Sequence, residues 1–357
     1  MIYLYLSITT ILSIVIIYDI LVDFYEWQSR IHIGRWSNRK IWQSAVEKKA
    51  IKWLKHAPTI TIRDTNKYYL VDAIFNNNKS NTIQSWQYAG LILALERESI
   101  SEKISERLNS MIDCNASCDF AFLAYALKKK SLLSKIAEEK TIDYFSKFSK
   151  NNNTIPYRNH LPNLRFVDTI GLVCPFLYQF GFYELANRQI AEFDKALLNN
   201  ALPSHAWDRE NNLPLGIYDW GRGLGWYILG LIENNNISNN LDRIVNLSSS
   251  LIPFILPSGG ISHMFFNKNN SFESSSSAIV GLLFLRAYEL TDNIQFLDIA
   301  KKIENGLMKA TRRNGAIDFS QGDTKGIGFY SSRFSIMPFT QGMSLYFSKE
   351  LDKYYPS

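Results

Sequence analysis

Apolar residues recur at three- and four-residue spacing through a dozen stretches of this chain, and that rhythm constrains the fold more than any other feature. The stretches are Ile41–Leu54, Ile83–Leu95, Ile100–Ile112, Phe120–Leu127, Leu132–Phe148, Thr169–Phe180, Tyr183–Leu198, Gly225–Ile232, Leu241–Ile255, Ala278–Leu290, Ile294–Leu307 and Phe339–Leu351. Side chains three and four apart share one face of an α-helix, so each stretch predicts a helix with a buried side. Period-two alternation is scarce. Thr59–Arg63 with Tyr68–Val71, and Gly260–Phe266, predict only short hairpin-like excursions. Asn-rich breaks at 76–78, 151–153, 234–236 and 269–270 punctuate the helices. The expected architecture is all-α, with helical hairpins arranged in a ring or stack. No fixed-period repeat supports a regular solenoid. Three long loops, around 150–166, 199–222 and 310–338, are where function is expected.

The N-terminus differs in kind. Met1 to Tyr18 carries no charged side chain, and the apolar run resumes after Asp19 as far as Val22. That is about the length needed to cross a bilayer. A cleaved leader would show a basic start and a small-residue cleavage site, and neither is visible. The alternative is a buried helix of the main domain. Arg30, Arg35, Arg39 and Lys40 follow the segment and no basic residue precedes it, so the positive-inside rule expects an inner-membrane span with the bulk of the chain in the cytoplasm. A periplasmic placement stays open, because long domains can be translocated regardless of charge. The expected organisation is a transmembrane anchor over 1–22, a juxtamembrane segment over 23–40 and one helical domain over 41–357.

Lys and Arg exceed Asp and Glu by 39 to 33. They are dispersed except for Lys128-Lys129-Lys130, which suits a solvated helix end, and no interleaving with stacking aromatics points to nucleic acid. Cys114, Cys118 and Cys174 form no disulfide framework and no zinc spacing, so they are expected as small buried hydrophobes, and no metal or cofactor is expected.

Four segments set polar residues beside aromatics and glycines at helix starts. In Val167-Asp168-Thr169, Asp168 has the default reading of an N-cap; the second reading is a general acid raised by burial, which a helix N-terminus would oppose. In Ser204-His205-Ala206-Trp207-Asp208, the histidine can hydrogen-bond a sugar hydroxyl or be an ordinary loop residue. Trp220-Gly221-Arg222-Gly223-Leu224-Gly225-Trp226 offers glycines that let the backbone approach a ligand, an arginine able to grip a carboxylate, and two stacking faces. The alternative is a tight turn with core aromatics. Glu273 followed by Ser274 to Ser277 enters a further helix, where a serine cap explains part of the run.

In this order the segments resemble the motifs of the six-hairpin glycosidases of glycoside hydrolase families 88 and 105, the unsaturated glucuronyl and rhamnogalacturonyl hydrolases. Cys118-Asp119-Phe120-Ala121-Phe122, Glu273-Ser274-Ser275 and Gln341-Gly342 are similar to further family motifs, and the likeness spans roughly 40–353. It implies an (α/α)6 six-hairpin barrel with a cleft at one end. It further implies an Asp that protonates the C4=C5 bond of an unsaturated uronic residue, with water adding at C5. By that resemblance Asp168 is the acid, Asp119 its partner carboxylate, and His205, Trp207, Trp220, Arg222 and Trp226 hold an acidic oligosaccharide. Two departures stand out: Cys118 replaces a His, and Leu224 replaces a polar residue, expected to be a lost hydrogen-bonding group facing substrate. They leave a second reading, a catalytically impaired membrane-bound glycan-binding protein of surface polysaccharide assembly.

Overall fold

A computed structural model describes residues 1–58, 70, 83–151, 153–234, 237–267, 269, 271–324 and 326–356. The proposed excursion at Thr59–Arg63 and Tyr68–Val71 lies outside the described residues. After α1 (Ile2–Arg30), twelve α-helices follow among those described: α2 (Arg39–Lys55), α3 (Ser85–Ala94), α4 (Glu102–Cys114), α5 (Cys118–Lys129), α6 (Lys135–Lys150), α7 (Val167–Gln179), α8 (Tyr183–Phe193), α9 (Gly221–Ile232), α10 (Leu241–Leu251), α11 (Ser274–Thr291), α12 (Ile294–Lys309) and α13 (Pro338–Leu351). Each answers one of the periodic stretches. Tyr183–Leu198 and Leu241–Ile255 end their α-helices early, in single 3-10 turns.

The odd-numbered helices from α3 to α13 pack side by side and close into a ring, α13 returning to α3, while the even-numbered helices lie outside it. Burial follows from that placement. Every residue of α3 and of α9 is buried, whereas α4 buries Ile104, Ser105, Leu108, Asn109 and Ile112, a single stripe. A helix apolar all round needs neighbours all round, and an amphipathic one needs a core on one side only. The ring closes tightly where Gly342 of α13 meets the Gly90 carbonyl of α3; a Cβ there would collide with that backbone.

Inside the ring, Trp86, Phe122, Trp226 and Phe339 meet edge-on or tilted, with centroids 5.1–6.4 Å apart. Edge-to-face contact suits the ring quadrupoles, and this cluster fills the barrel beneath its open end. The opposite end is plugged by Glu233, just past α9, which accepts hydrogen bonds from Lys129 Nζ (2.9 Å), Tyr346 OH (3.0 Å) and Tyr125 OH. Lys128 pairs with Glu138 at 2.8 Å, so the basic triplet is partly an ion-paired plug rather than a solvated helix end. Of the three free thiols, Cys118 and Cys174 are buried, but Cys114 is exposed because it closes the last turn of outer helix α4.

Among the described residues, the strands are short and lie in the connections between helices. β1 (Leu164–Phe166), β4 (Ala206–Asp208) and β5 (Leu213–Leu215) form an antiparallel sheet with Phe166 opposite Ala206. β2 (Leu197–Leu198) pairs with β3 (Leu202–Pro203), β6 (Ile261–Ser262) with β7 (Phe272–Glu273), and β8 (Ser320–Gln321) with β9 (Phe334–Ser335). The expected excursion at Gly260–Phe266 therefore supplies one strand of the β6–β7 pair. No residue of α1 is buried, and the helix is long and apolar enough to cross a bilayer.

Candidate active site

The N-terminal ends of inner helices α3, α5, α7 and α9 meet at one cleft of about 1010 Å³. Asp119, Asp168, His205, Trp220, Arg222 and Trp226 all line it. Trp207 does not. Its indole is buried and Nε1 donates to Glu192 Oε1 of outer helix α8 at 3.2 Å, so the side chain is spent on the scaffold. The assignment of Trp207 to the substrate is corrected on that ground.

The β1–β4 pairing builds the centre of the site. The Val167 N–H donates to the His205 carbonyl at 2.9 Å, which sets the first turn of α7 beside the histidine. Phe166 holds the N-cap position, so Asp168 is the second residue of the helix and not its cap. Its Oδ2 is buried without a hydrogen-bond partner. Burial pushes the carboxyl up to about 7; its own backbone N–H opposes, Asp323 adds repulsion, Arg222 draws it down and Asp119 adds further repulsion. The two influences left open by the sequence are thus resolved. Desolvation outweighs the helix terminus, and the group is poised to hold and give up a proton near neutrality.

His205 Nε2 sits 3.7 Å from Asp168 Oδ2, and Nδ1 is 3.1 Å from the Tyr330 hydroxyl. Burial holds the imidazole down at about 4, so it is neutral at pH 7 and serves as a hydrogen-bonding group rather than a cation. Its ring lies against Trp220 and Tyr330, at 4.5 and 5.6 Å between centroids.

Asp119, in the first turn of α5, is built differently. Tyr157 OH donates to Oδ1 and Arg158 Nη1 to Oδ2, both at 2.7 Å, and the side chain stays about one-third exposed. The Arg158 guanidinium also stacks 4.0 Å over the Tyr157 ring. Cys118 points away from the cleft, with its thiol 3.7 Å from the Pro156 carbonyl, and burial raises it to about 12. It ties the 153–158 loop to α5 and is chemically inert there.

Arg222 is buried and largely committed to the scaffold. Its Nη1 donates to the Gly322 carbonyl at 3.1 Å, Nη2 to the Gln321 carbonyl and Nε to Ser275 Oγ at 3.4 Å, with Glu273 3.9 Å away. Glu273, rather than a serine, caps α11, accepting from the Ser275 and Ser276 N–H groups and from Gln321 N at 2.9 Å. The three glycines around Arg222 also serve packing. A Cβ at Gly221 would meet Ser276 Oγ at 2.7 Å, one at Gly223 the Trp220 ring at 2.5 Å, and one at Gly225 Ile279 at 2.9 Å. The backbone there approaches protein, not ligand. Leu224 is fully buried in the core and does not line the cleft, so the expectation of a lost group facing substrate is overturned. An Asn at that position would bury an unpaired amide.

Sequence reasoning missed Asp323, Tyr157, Arg158 and Tyr330. Asp323 lines the cleft, accepts from Gln84 Nε2 at 2.9 Å, and is raised by burial, with Arg222 opposing. The third long loop was flagged, but no local pattern separates Asp323 from Asp318 five residues earlier. Only the fold brings it to the cleft.

No protein-family model matches this chain, and no curated protein matches it. Solved structures do. An unsaturated glucuronyl hydrolase specific for heparin superposes with TM-score 0.65 at 13% identity, over 88% of this chain and 98% of that one. A family 105 glycoside hydrolase from C. acetobutylicum gives 0.60 at 16% identity, over 80% of this chain and 98% of its own. A polysaccharide lyase gives 0.59 at 14% identity, over 87% of this chain and 98% of that one. The likeness establishes the six-hairpin fold, which carries more than one chemistry.

Proposed function

We propose that this chain is a glycoside hydrolase acting on unsaturated uronyl oligosaccharides, glucuronyl or galacturonyl, in bacterial polysaccharide metabolism. The observation that carries the reading is Asp168, a cleft carboxyl with an unpartnered buried oxygen and a proton affinity raised to about 7 by burial. A proton passes from Asp168 to C4 of the C4=C5 bond, and the positive charge at C5 is shared with the ring oxygen. Water adds at C5 while the Asp168 carboxylate takes its proton, which regenerates the acid. The resulting hemiketal opens and releases the aglycone. Addition to a double bond needs one recycling proton donor, unlike displacement between two carboxylates.

Asp119, held by Tyr157 and Arg158, supplies the second acidic group, and Arg158, partly exposed, is the cation best placed for a uronate carboxylate. Arg222 acts mainly by fixing the 321–323 backbone. Trp220, Trp226 and Tyr330 offer ring faces, and neutral His205 a hydroxyl partner. The chain crosses the inner membrane through the apolar part of α1, with the barrel on the cytoplasmic side. Incubating the purified protein with unsaturated uronyl disaccharides, and following loss of the double bond's ultraviolet absorbance, tests the activity.

One observation favours a second reading, the catalytically impaired glycan-binding protein. Arg222 spends its donors on backbone carbonyls, and Arg158 is paired with Asp119. If acidic oligosaccharides bind but no unsaturated uronyl compound is consumed, that reading replaces the first.

A further inference from the structure

The chain between the apolar helix and the barrel follows an ordered path. Arg39 binds Glu304 and Asp352 (2.6 and 2.5 Å) and the Tyr355 carbonyl, all toward the closed end. Going back along the chain, Trp36 Nε1 and the Gly34 N–H donate to the Thr311 carbonyl. Arg30 then clasps Asp318 with Nε at 2.8 Å and Nη2 at 2.9 Å, and reaches the Phe334 carbonyl at 2.6 Å. Glu26 faces Arg312 at 3.6 Å, and Asp23 faces Arg333 at 3.8 Å. These contacts climb from the C-terminal end of inner helix α13 to the β8–β9 hairpin, whose Gly322 N–H bonds the Arg333 carbonyl at 2.8 Å beside Asp323. The helix therefore leaves the barrel past one wall of the cleft.

The apolar run ends at Val22. Arg30 lies eight residues further, about 12 Å along a helix. The headgroup layer alone is about 5–8 Å thick on each side of the hydrocarbon. We infer that α1 holds the cleft mouth against the bilayer surface, and that the saccharide taken there is one carried on a membrane lipid rather than free in solution. This rests on the acidic-saccharide reading above and on α1 spanning the membrane. Confining both partners to one surface raises the effective concentration without any new contact.

Two labelled forms of the full-length protein, on a Cys114→Ser background, test the geometry. Phe329→Cys carries a fluorophore at the exposed tip of the cleft hairpin, and Gln295→Cys carries it at the opposite end, in the first turn of α12. In vesicles containing headgroup-spin-labelled lipid, the Phe329 position is expected to be quenched several-fold more strongly than the Gln295 position. Equal or reversed quenching overturns the inference, as does failure of the protein to float with vesicles. For the substrate, one unsaturated uronyl saccharide is offered free and coupled to a lipid in the same vesicles. Half-saturation at least tenfold lower for the coupled form is expected, with the advantage lost in detergent. Equal handling of the two forms overturns the lipid-carried substrate while leaving the hydrolase reading intact. Consumption of neither form, with quenching as expected, removes the hydrolase reading and with it the substrate named here, and leaves the orientation standing.

Discussion

Two buried carboxyls at opposite ends of the barrel have gone in opposite directions. Asp168, at the start of inner helix α7, has an oxygen without a partner, and burial takes it up to about 7. Glu233, just past the end of inner helix α9, is more deeply buried, its side chain 2% exposed against 20%, which by itself would raise it further. Lys129 and Arg286 outweigh that burial, Tyr125 adds a hydrogen bond, and the group is held at about 2. Depth alone does not decide what a buried acid does. The count of donors and cations around it does: with few it becomes a proton carrier, and with many a fixed anion that fastens helices together.

The comparison predicts a double dissociation. Asp168→Asn keeps the shape but cannot give a proton, so turnover should fall by roughly 10³-fold, within the usual range for a general acid, with no loss of melting temperature. A variant retaining wild-type turnover on a confirmed substrate would break the assignment. Glu233→Gln should do the reverse. It takes away the carboxylate paired with Lys129, while Arg286 keeps Glu289 and Glu350, and should cost about 2–3 kcal/mol in denaturant unfolding, below the figure for a fully buried pair because Lys129 keeps some solvent. Activity per folded molecule should be unchanged.

Asp119 lies between these extremes, since its oxygens are engaged yet it faces the cleft. Asp119→Asn is expected to lower kcat by about tenfold, one order less than a lost acid–base group at the low end of its range, measured by steady-state kinetics. An effect as large as that of Asp168→Asn would mean that the two carboxyls share the proton transfer.

The smallest effects come from pH. Turnover should decline as pH rises through about 7, because the protonated form of Asp168 is the donor. Its folded affinity for the proton exceeds that of the unfolded chain, so stability from this group is present below about 4 and lost as pH rises to about 7. Asp168→Asn should therefore gain stability relative to wild type across that window. Glu233 has the opposite sign: its contribution is present above about 4.5 and is lost as pH falls toward about 2. Melting curves of the wild type and both variants at matched pH separate the two.

Much of the framework is local information. Each of the twelve periodic stretches became a helix because a 3.6-residue repeat of apolar side chains needs only its own turns to define a face. Asp119, Asp168, Trp220, Arg222 and Trp226 fell at or near the starts of inner helices and His205 just before β4, and the ordered motifs made them legible as a group before any contact was known. What the sequence could not decide is what depends on distant chain. Asp168 is not a cap because Phe166 took that position, and its carboxyl is raised because burial in the cleft wall and repulsion from Asp323 favour the neutral form. Trp207 was claimed by Glu192 of an outer helix, Leu224 by the packing of the ring, and Arg222 became a strut when the 321–322 backbone arrived beside it. Periodicity is written in neighbours along the chain. Dielectric, charge and which donors remain free are set by whichever segments the closed ring brings together.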